Sequence, residues 1–315
     1  MTWPAFTKVV ATAPIALSLA EQGDLDLEAP LDDLLPELSG YGGRSPTFTD
    51  LMAHRAGFPA WIPLARSSRL HADVLAEIAR SPSAQVGVAL YSDLGPICAG
   101  IALQRLTGMD LDQLLERHVI QRMGVAAEDL RFGPISKDQL WRVAPTEFGR
   151  AKEQTLIASL GGQLEAVSMK IAEPLRGVAH DGNAAAMGGV AGHAGLFGTA
   201  AAVFRVISAF VSDDGPFSEA SRLRVRTALA ANHDDTRSFG FQLGTARSAP
   251  AGRFGHDSFG HVGFTGTSAW VACRSRSAAV LLTNRVHPVW REAPMQQRRR
   301  EFHDLVAAIL RLEPN

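Results

Sequence analysis

Ala5-Phe6-Thr7-Lys8 opens a stretch that reads as a helix, with a lysine on its first turn three residues after a small one. Positions i and i+3 share a helix face. A hydroxyl at the first of them would be a candidate nucleophile with an amine beside it, but position 5 is alanine. Two other stretches carry polar groups at the ends of expected elements. Tyr91-Ser92-Asp93 stands just before a helix, and His261-Val262-Gly263-Phe264 ends a strand. Singly each is weak. A lone helix lysine is by default exposed, a tyrosine ahead of a helix usually packs, and a strand end spaced Gly-x-x-Gly is often a bulge. Other chemistries fit less well. The glycine-rich run from Gly188 to Gly198 lacks the Gly-Lys-Ser/Thr of a phosphate loop. His180, Asp181 and His193 match no common metal-ligand spacing, so no metal and no cofactor is expected.

The elements that must position these groups follow from periodicity and punctuation. Residues 5–21 predict a helix closed by Gly23. A short helix capped by Thr47 or Thr49 ends at Gly57-Phe58-Pro59. Further helices are expected over 71–80, over about 94–107, and up to Gly124. Residues 125–180 show little periodicity and read as long loops, and a helix begins near Thr199. After about 235 the character changes: "RSFGFQLG", "FGHVGFTG", "TSAWVACR" and "AAVLLTN" read as strands. The last segment is a helix with Phe302, Leu305, Val306, Ile309 and Leu310 on one face and Arg298, Arg299 and Arg300 on its solvated side.

Helices, then strands, then a final helix predict an α+β domain in which a helical part packs beside an antiparallel sheet. The domain is expected to span 1–315, mostly helical over 1–210 and sheet-forming over 211–315. Such a sheet usually draws strands from both chain ends, and this chain starts at a helix, so the N-terminal strands are expected to be missing.

Of the 315 residues, 46% are hydrophobic and 20% charged, with a net charge of −1. That balance argues against nucleic acid or an anionic membrane as partner. Cys98 and Cys273 sit in apolar stretches and read as unpaired thiols. No run approaches the roughly 20 apolar residues of a membrane span, and no signal peptide precedes the first helix. The sequence as written therefore predicts a cytoplasmic protein, or an extracytoplasmic one if the true start lies upstream.

Taken together, in this order and spacing, "AFTK", "YSD" and "HVGFTGTS" resemble the three motifs of the serine β-lactamase and penicillin-binding-protein superfamily. The likeness is to the class C β-lactamase-related group, which includes D-alanyl-D-alanine carboxypeptidases and esterases. "LMAHRAGFPAW", "LYSDLGPICAGIALQRLTG" and "VAHDGNAAAMGGVAGHAGLFGTA" extend it over nearly the whole chain. The resemblance implies a β-lactamase/transpeptidase-like fold and acyl transfer through a serine ester. It makes Lys8 the lysine of the first motif, Tyr91 its tyrosine partner, and His261 and Gly263 part of the third motif. Asp93 stands where the family usually has asparagine, and Ser92 lies beside it. Backbone N–H groups of Ala5 and Phe264 would frame an oxyanion hole. Substrates would be small molecules or peptidoglycan-like: a β-lactam, a D-alanyl peptide or an ester.

The departures carry equal weight. Ala5 replaces the serine nucleophile, Asp93 replaces a side chain that can also donate, and Val262 replaces a hydroxyl that contacts the substrate carboxylate. Thr7, Thr12 and Ser92 are the alternative nucleophiles, with Ser92 the best placed. The expectation is a disarmed hydrolase, since loss of the nucleophile from such a unit costs roughly 10⁶ in turnover. The alternative is a binding module without chemistry, for a cell-wall-like ligand or a protein partner. Ala5 itself is explained by a natural pseudoenzyme, a deliberate mutation or a mis-started frame, and the start at the first motif favours the last.

Overall fold

A computed structural model describes residues 6–64, 71–159 and 173–312. Ala5 lies outside the described residues. The first helix runs through wider π-helical turns at Lys8–Thr12 into α1, Ala13–Gln22. Its sequence is mostly apolar, and residues 6–19 are buried, the polar Thr7, Lys8, Thr12 and Ser18 included. Gly23, at φ 81°, ends it in the left-handed conformation.

Around it stand α2 (Phe48–Met52), α3 (His71–Arg80), α4 (Leu94–Thr107), α5 (Leu111–Leu115) and α6 (Gln121–Met123). Thr47 and Asp50 form a reciprocal capping box on α2, so Thr47 is the cap and Thr49 is not. The glycine-rich run finds its reason against α4. A Cβ on Gly192 would stand 2.0 Å from the Pro96 carbonyl oxygen, and one on Gly100 would stand 2.9 Å from Gly192. Backbone lies on backbone there, and only glycine permits it.

The segment expected to be loops holds more structure than its aperiodic sequence showed. It contains β1 (Leu130–Phe132), a 3₁₀ turn at Lys137–Arg142 and α7 (Ala151–Ser159). After α8 (Gly182–Ala186), β2 (Leu196–Gly198) pairs antiparallel with β1. These elements are short and take their register from partners distant in sequence, which local periodicity does not report.

Two helices, α9 (Ala200–Ser208) and α10 (Glu219–Arg226), precede the main sheet. That sheet is antiparallel in sequential order: β3 (Ala230–Ala231), β4 (Thr236–Arg237), β5 (Gln242–Leu243), β6 (Ser258–Val262), β7 (Ser268–Ala272) and β8 (Ser277–Leu281). "RSFGFQLG" is two short strands around a turn, not one strand, because Gly240 takes φ 85°. Among the described residues β8 has β7 alone as neighbour, leaving its outer edge unpaired. One continuous apolar core joins Phe6, Val9 and Val10 of the first helix to Ile97 and Ile101 of α4, Val206 of α9 and Phe259 of β6.

The last helix, α11 (Met295–Ile309), turns a different face to the sheet from the one its apolar residues predict. Met295, Arg299, His303 and Ala307 are buried, while Leu305 is 61% and Ile309 70% exposed. Leu310 is exposed too, and Phe302 and Val306 are partly buried. The reason is polar. Arg299 donates to the carbonyl oxygens of Gly263 and Gly266, and His303 meets the Ser268 hydroxyl at 2.9 Å. The basic run is thus not uniformly solvated: Arg299 is buried, and Arg300 bonds the Ala249 carbonyl. Among the described residues no helix is long and apolar enough to cross a membrane.

Candidate active site

The three motifs meet in one cleft of about 560 Å³ between the helical part and the sheet, lined among others by Tyr91, Asp93, Glu153, Asp181, Arg237, Val262, Gly263 and Phe264. Lys8 reaches it from the core. Its side chain is 1% exposed, and Nζ donates to Tyr91 Oη at 3.0 Å and to Asp93 Oδ1 at 2.7 Å. Burial pulls the Lys8 amine toward neutrality, but the Asp93 charge and the bonds to Asp93 and Tyr91 outweigh it and raise its pKa. Lys8 is therefore an ammonium ion at neutral pH with no lone pair to offer.

Tyr91 is enclosed by rings and cations. His54 lies 4.7 Å and His261 5.8 Å from its centroid, and the Arg237 guanidinium lies 4.7 Å over its face. Burial, with the Asp93 charge, holds the Tyr91 phenol above its ordinary value, and Lys8 and Arg237 offset only part of that rise. His261 Nδ1 donates to the Val262 carbonyl at 2.8 Å, so the unprotonated Nε2 turns inward. Burial, then the charges of Arg237 and Lys8, hold both His261 and His54 well below the usual imidazole range. Both rings are neutral.

Ser92 stands elsewhere than in the substrate-binding place expected of it. Its hydroxyl donates to the Pro59 carbonyl at 2.6 Å and accepts the Leu94 N–H, while its own N–H donates to His54 Nδ1. It builds the entry to α4 and does not line the cleft. The other hydroxyls considered as nucleophiles are equally tied. Thr7 accepts from the Leu196 N–H and Thr12 donates to the Gly192 carbonyl. Asp93, expected to face substrate, spends one oxygen on Lys8.

At the third motif, Gly263 donates to the Thr267 carbonyl and closes the β6–β7 turn. Among the described residues the Phe264 N–H has no protein acceptor. A free backbone donor at the cleft wall suits an oxyanion. Arg285 and Arg299 brace this turn from behind through the carbonyls of Phe264 and Gly263.

The opposite wall went unread in the sequence. Glu153 on α7 shares the Gly182 N–H between its two oxygens, and burial, then the Asp181 charge, pushes its carboxyl up to about 8. Asp181 is paired with His193 at 2.8 Å, and Glu147 with His180 at 2.8 Å. These are two separate pairs, and among the described residues no cluster of His, Cys, Asp and Glu could hold a metal ion. Glu153 and Arg237 carry no local signal, and His54 sits in "LMAHRAGFPAW", a stretch that adds only to the overall resemblance. Each acquires its place from elements remote in the chain.

A model of the Beta-lactamase family matches residues 5–304. A putative D-alanyl-D-alanine carboxypeptidase of Escherichia coli O157:H7 is 26% identical over 311 residues, covering 89% of this chain and 68% of that one. Among solved structures, a beta-lactamase from Sulfitobacter sp. EE-36 aligns with a TM-score of 0.70 at 20% identity, covering 98% of this chain and 83% of that one. A family VIII carboxylesterase aligns with a TM-score of 0.66 at 22% identity, covering 96% and 82%. The fold is thus the β-lactamase/transpeptidase-like α+β fold.

Proposed function

The chain belongs to the Beta-lactamase family, and from that premise we propose that its cleft binds an acyl carbonyl of peptide, lactam or ester type but lacks the hydroxyl to attack it. The observation that carries this reading is the contact of Lys8 with Tyr91 at 3.0 Å and Asp93 at 2.7 Å inside a cleft walled by Gly263 and Phe264. A proton relay and a free backbone donor stand together, while position 5 is alanine. The E. coli relative described as a putative D-alanyl-D-alanine carboxypeptidase supports a D-alanyl peptide as one ligand class.

The test compares the protein with Ala5→Ser on a chromogenic ester and a chromogenic cephalosporin. Restoring the hydroxyl is expected to raise turnover by about 10³-fold or more, a part of the roughly 10⁶ that a missing nucleophile costs. A folded Ala5→Ser protein that turns over neither compound rejects the hydrolase cleft. The binding-module reading would then stand in its place. The Lys8–Asp93 ion pair favours that second reading, because it commits the lysine as a cation.

A further inference from the structure

Tyr91 is surrounded by five polar groups from five parts of the chain. Lys8 comes from the first helix, His54 from the loop after α2, Asp93 from the start of α4, Arg237 from β4 and His261 from β6. Two of these, His54 and His261, are neutral. Lys8 is a cation whose charge is matched by Asp93 at 2.7 Å. With Lys8 held as an ammonium ion, a proton acceptor at this place would be the Tyr91 oxygen once ionised, and burial with the Asp93 charge holds that ionisation above the ordinary phenol range. A phenolate buried at this depth needs cationic support beyond one already paired lysine.

Arg237 is placed to give it. Its side chain is 6% exposed and its guanidinium carbon lies over the Tyr91 ring, 4.7 Å from the centroid. Asp235 Oδ2 accepts from Nε at 2.6 Å and fixes the plane, while Nη1, also buried, has no partner among the described residues. We infer that Arg237 is a positioning residue that acts through the face of Tyr91 to favour its tyrosinate form, a task to which the neutral His261 of the third motif adds no charge. The inference rests on the proposed role of Tyr91 as proton carrier. Asp235 sets its limit, because its carboxylate offsets part of the guanidinium charge.

The chain has two tyrosines, Tyr41 and Tyr91, so Tyr41→Phe leaves one phenol to titrate. Its ionisation is read from the near-ultraviolet tyrosinate band, in the protein with Ala5 as it stands. No turnover is needed, which separates this test from the Ala5→Ser assay. Arg237→Gln is expected to raise the Tyr91 midpoint by about one pH unit or more, and Arg237→Lys to keep part of the effect. Asp235→Asn is expected to move the midpoint down, and His261→Gln to leave it in place. A merely structural role for Arg237 predicts no such opposed shifts. An unchanged midpoint in Arg237→Gln, or an equal rise in His261→Gln, overturns the inference. If Arg237→Gln does not fold, the Asp235→Asn arm decides: a midpoint that stays or rises overturns it. A Tyr91 that never ionises before alkaline unfolding, in the parent and Asp235→Asn alike, overturns it too.

Discussion

At the scale of single residues, Asp93 changes what Lys8 can be. An asparagine there would leave the lysine with hydrogen bonds alone, and burial would drive it toward the free amine. Aspartate adds a charge at 2.7 Å and keeps the proton on Nζ. Asp93→Asn is therefore expected to lower the Lys8 pKa and, by leaving a buried ammonium short of its counter-ion, to cost about 2 kcal/mol of stability near neutrality. Urea unfolding at fixed pH checks it. The sign with pH follows from linkage: the folded-state pKa of Lys8 lies above the unfolded value of 10.5. The pair's stabilisation is thus full below about 10.5 and falls as pH rises through the folded value. The gap between parent and Asp93→Asn should hold up to about pH 10 and shrink above it. A constant gap at high pH contradicts the assignment. The proximity of Lys8, Tyr91 and His261 was legible from three short contiguous stretches, and the structure brings the side chains together. Their protonation states were not legible, because Arg237 and His54 reach Tyr91 from distant strands and loops.

Two elements show where periodicity carries an argument and where it fails. Gly192 sits where the glycine-rich loop crosses α4, and a Cβ there would meet the Pro96 carbonyl oxygen at 2.0 Å. Gly192→Ala is expected to lower stability by about 2 kcal/mol, since backbone must move on both sides; a thermal melt within one degree of the parent would refute it. The α11 face gives the converse case. Its apolar residues at i, i+3 and i+4 point to a core stripe through Leu305 and Ile309, yet these two, with Leu310, are exposed. Leu305→Glu and Ile309→Glu should therefore each change stability by no more than about 0.5 kcal/mol. Ala307→Glu, which buries a charge between α11 and the sheet, should destabilise strongly. Equal losses at all three positions would restore the stripe read from the sequence. The sequence pattern misleads because Arg299 is drawn inward by carbonyl acceptors on the β6–β7 turn and His303 by the Ser268 hydroxyl on β7. Those partners exist only once the sheet has formed.

Across the molecule, the cleft walls differ in charge state, and pH should act on them through Glu153. Its folded-state pKa is about 8 against an ordinary 4.5. Between these values the unfolded chain has already lost this proton and the native state has kept it, so this group's contribution to stability falls as pH rises from about 4.5 to about 8 and then levels. Glu153→Gln removes that loss. Parent and variant should match near pH 4.5 and diverge up to pH 8, with the variant the more stable. Denaturant midpoints across that range test it, and a difference that does not grow with pH would place Glu153 in a more polar setting than the cleft wall. The coupling is one of assembly: α7 and the Asp181–His193 pair from the middle of the chain share one cavity with β6 from its last third.

By itself the sequence determined the fold class and the absence of a hydroxyl at position 5, and it offered three short stretches as the site, because each is written in contiguous residues whose types have few other uses together. It also marked the longer strands β6, β7 and β8, through composition and turn residues, and the first helix, through Gly23. Tertiary structure alone decided that the Ser92 hydroxyl is spent on the entry to α4, that Lys8 stays charged, and that Arg237 and Glu153 line the cleft. Those outcomes depend on burial and on distances of a few ångströms between residues far apart in the chain, and a one-dimensional pattern contains neither.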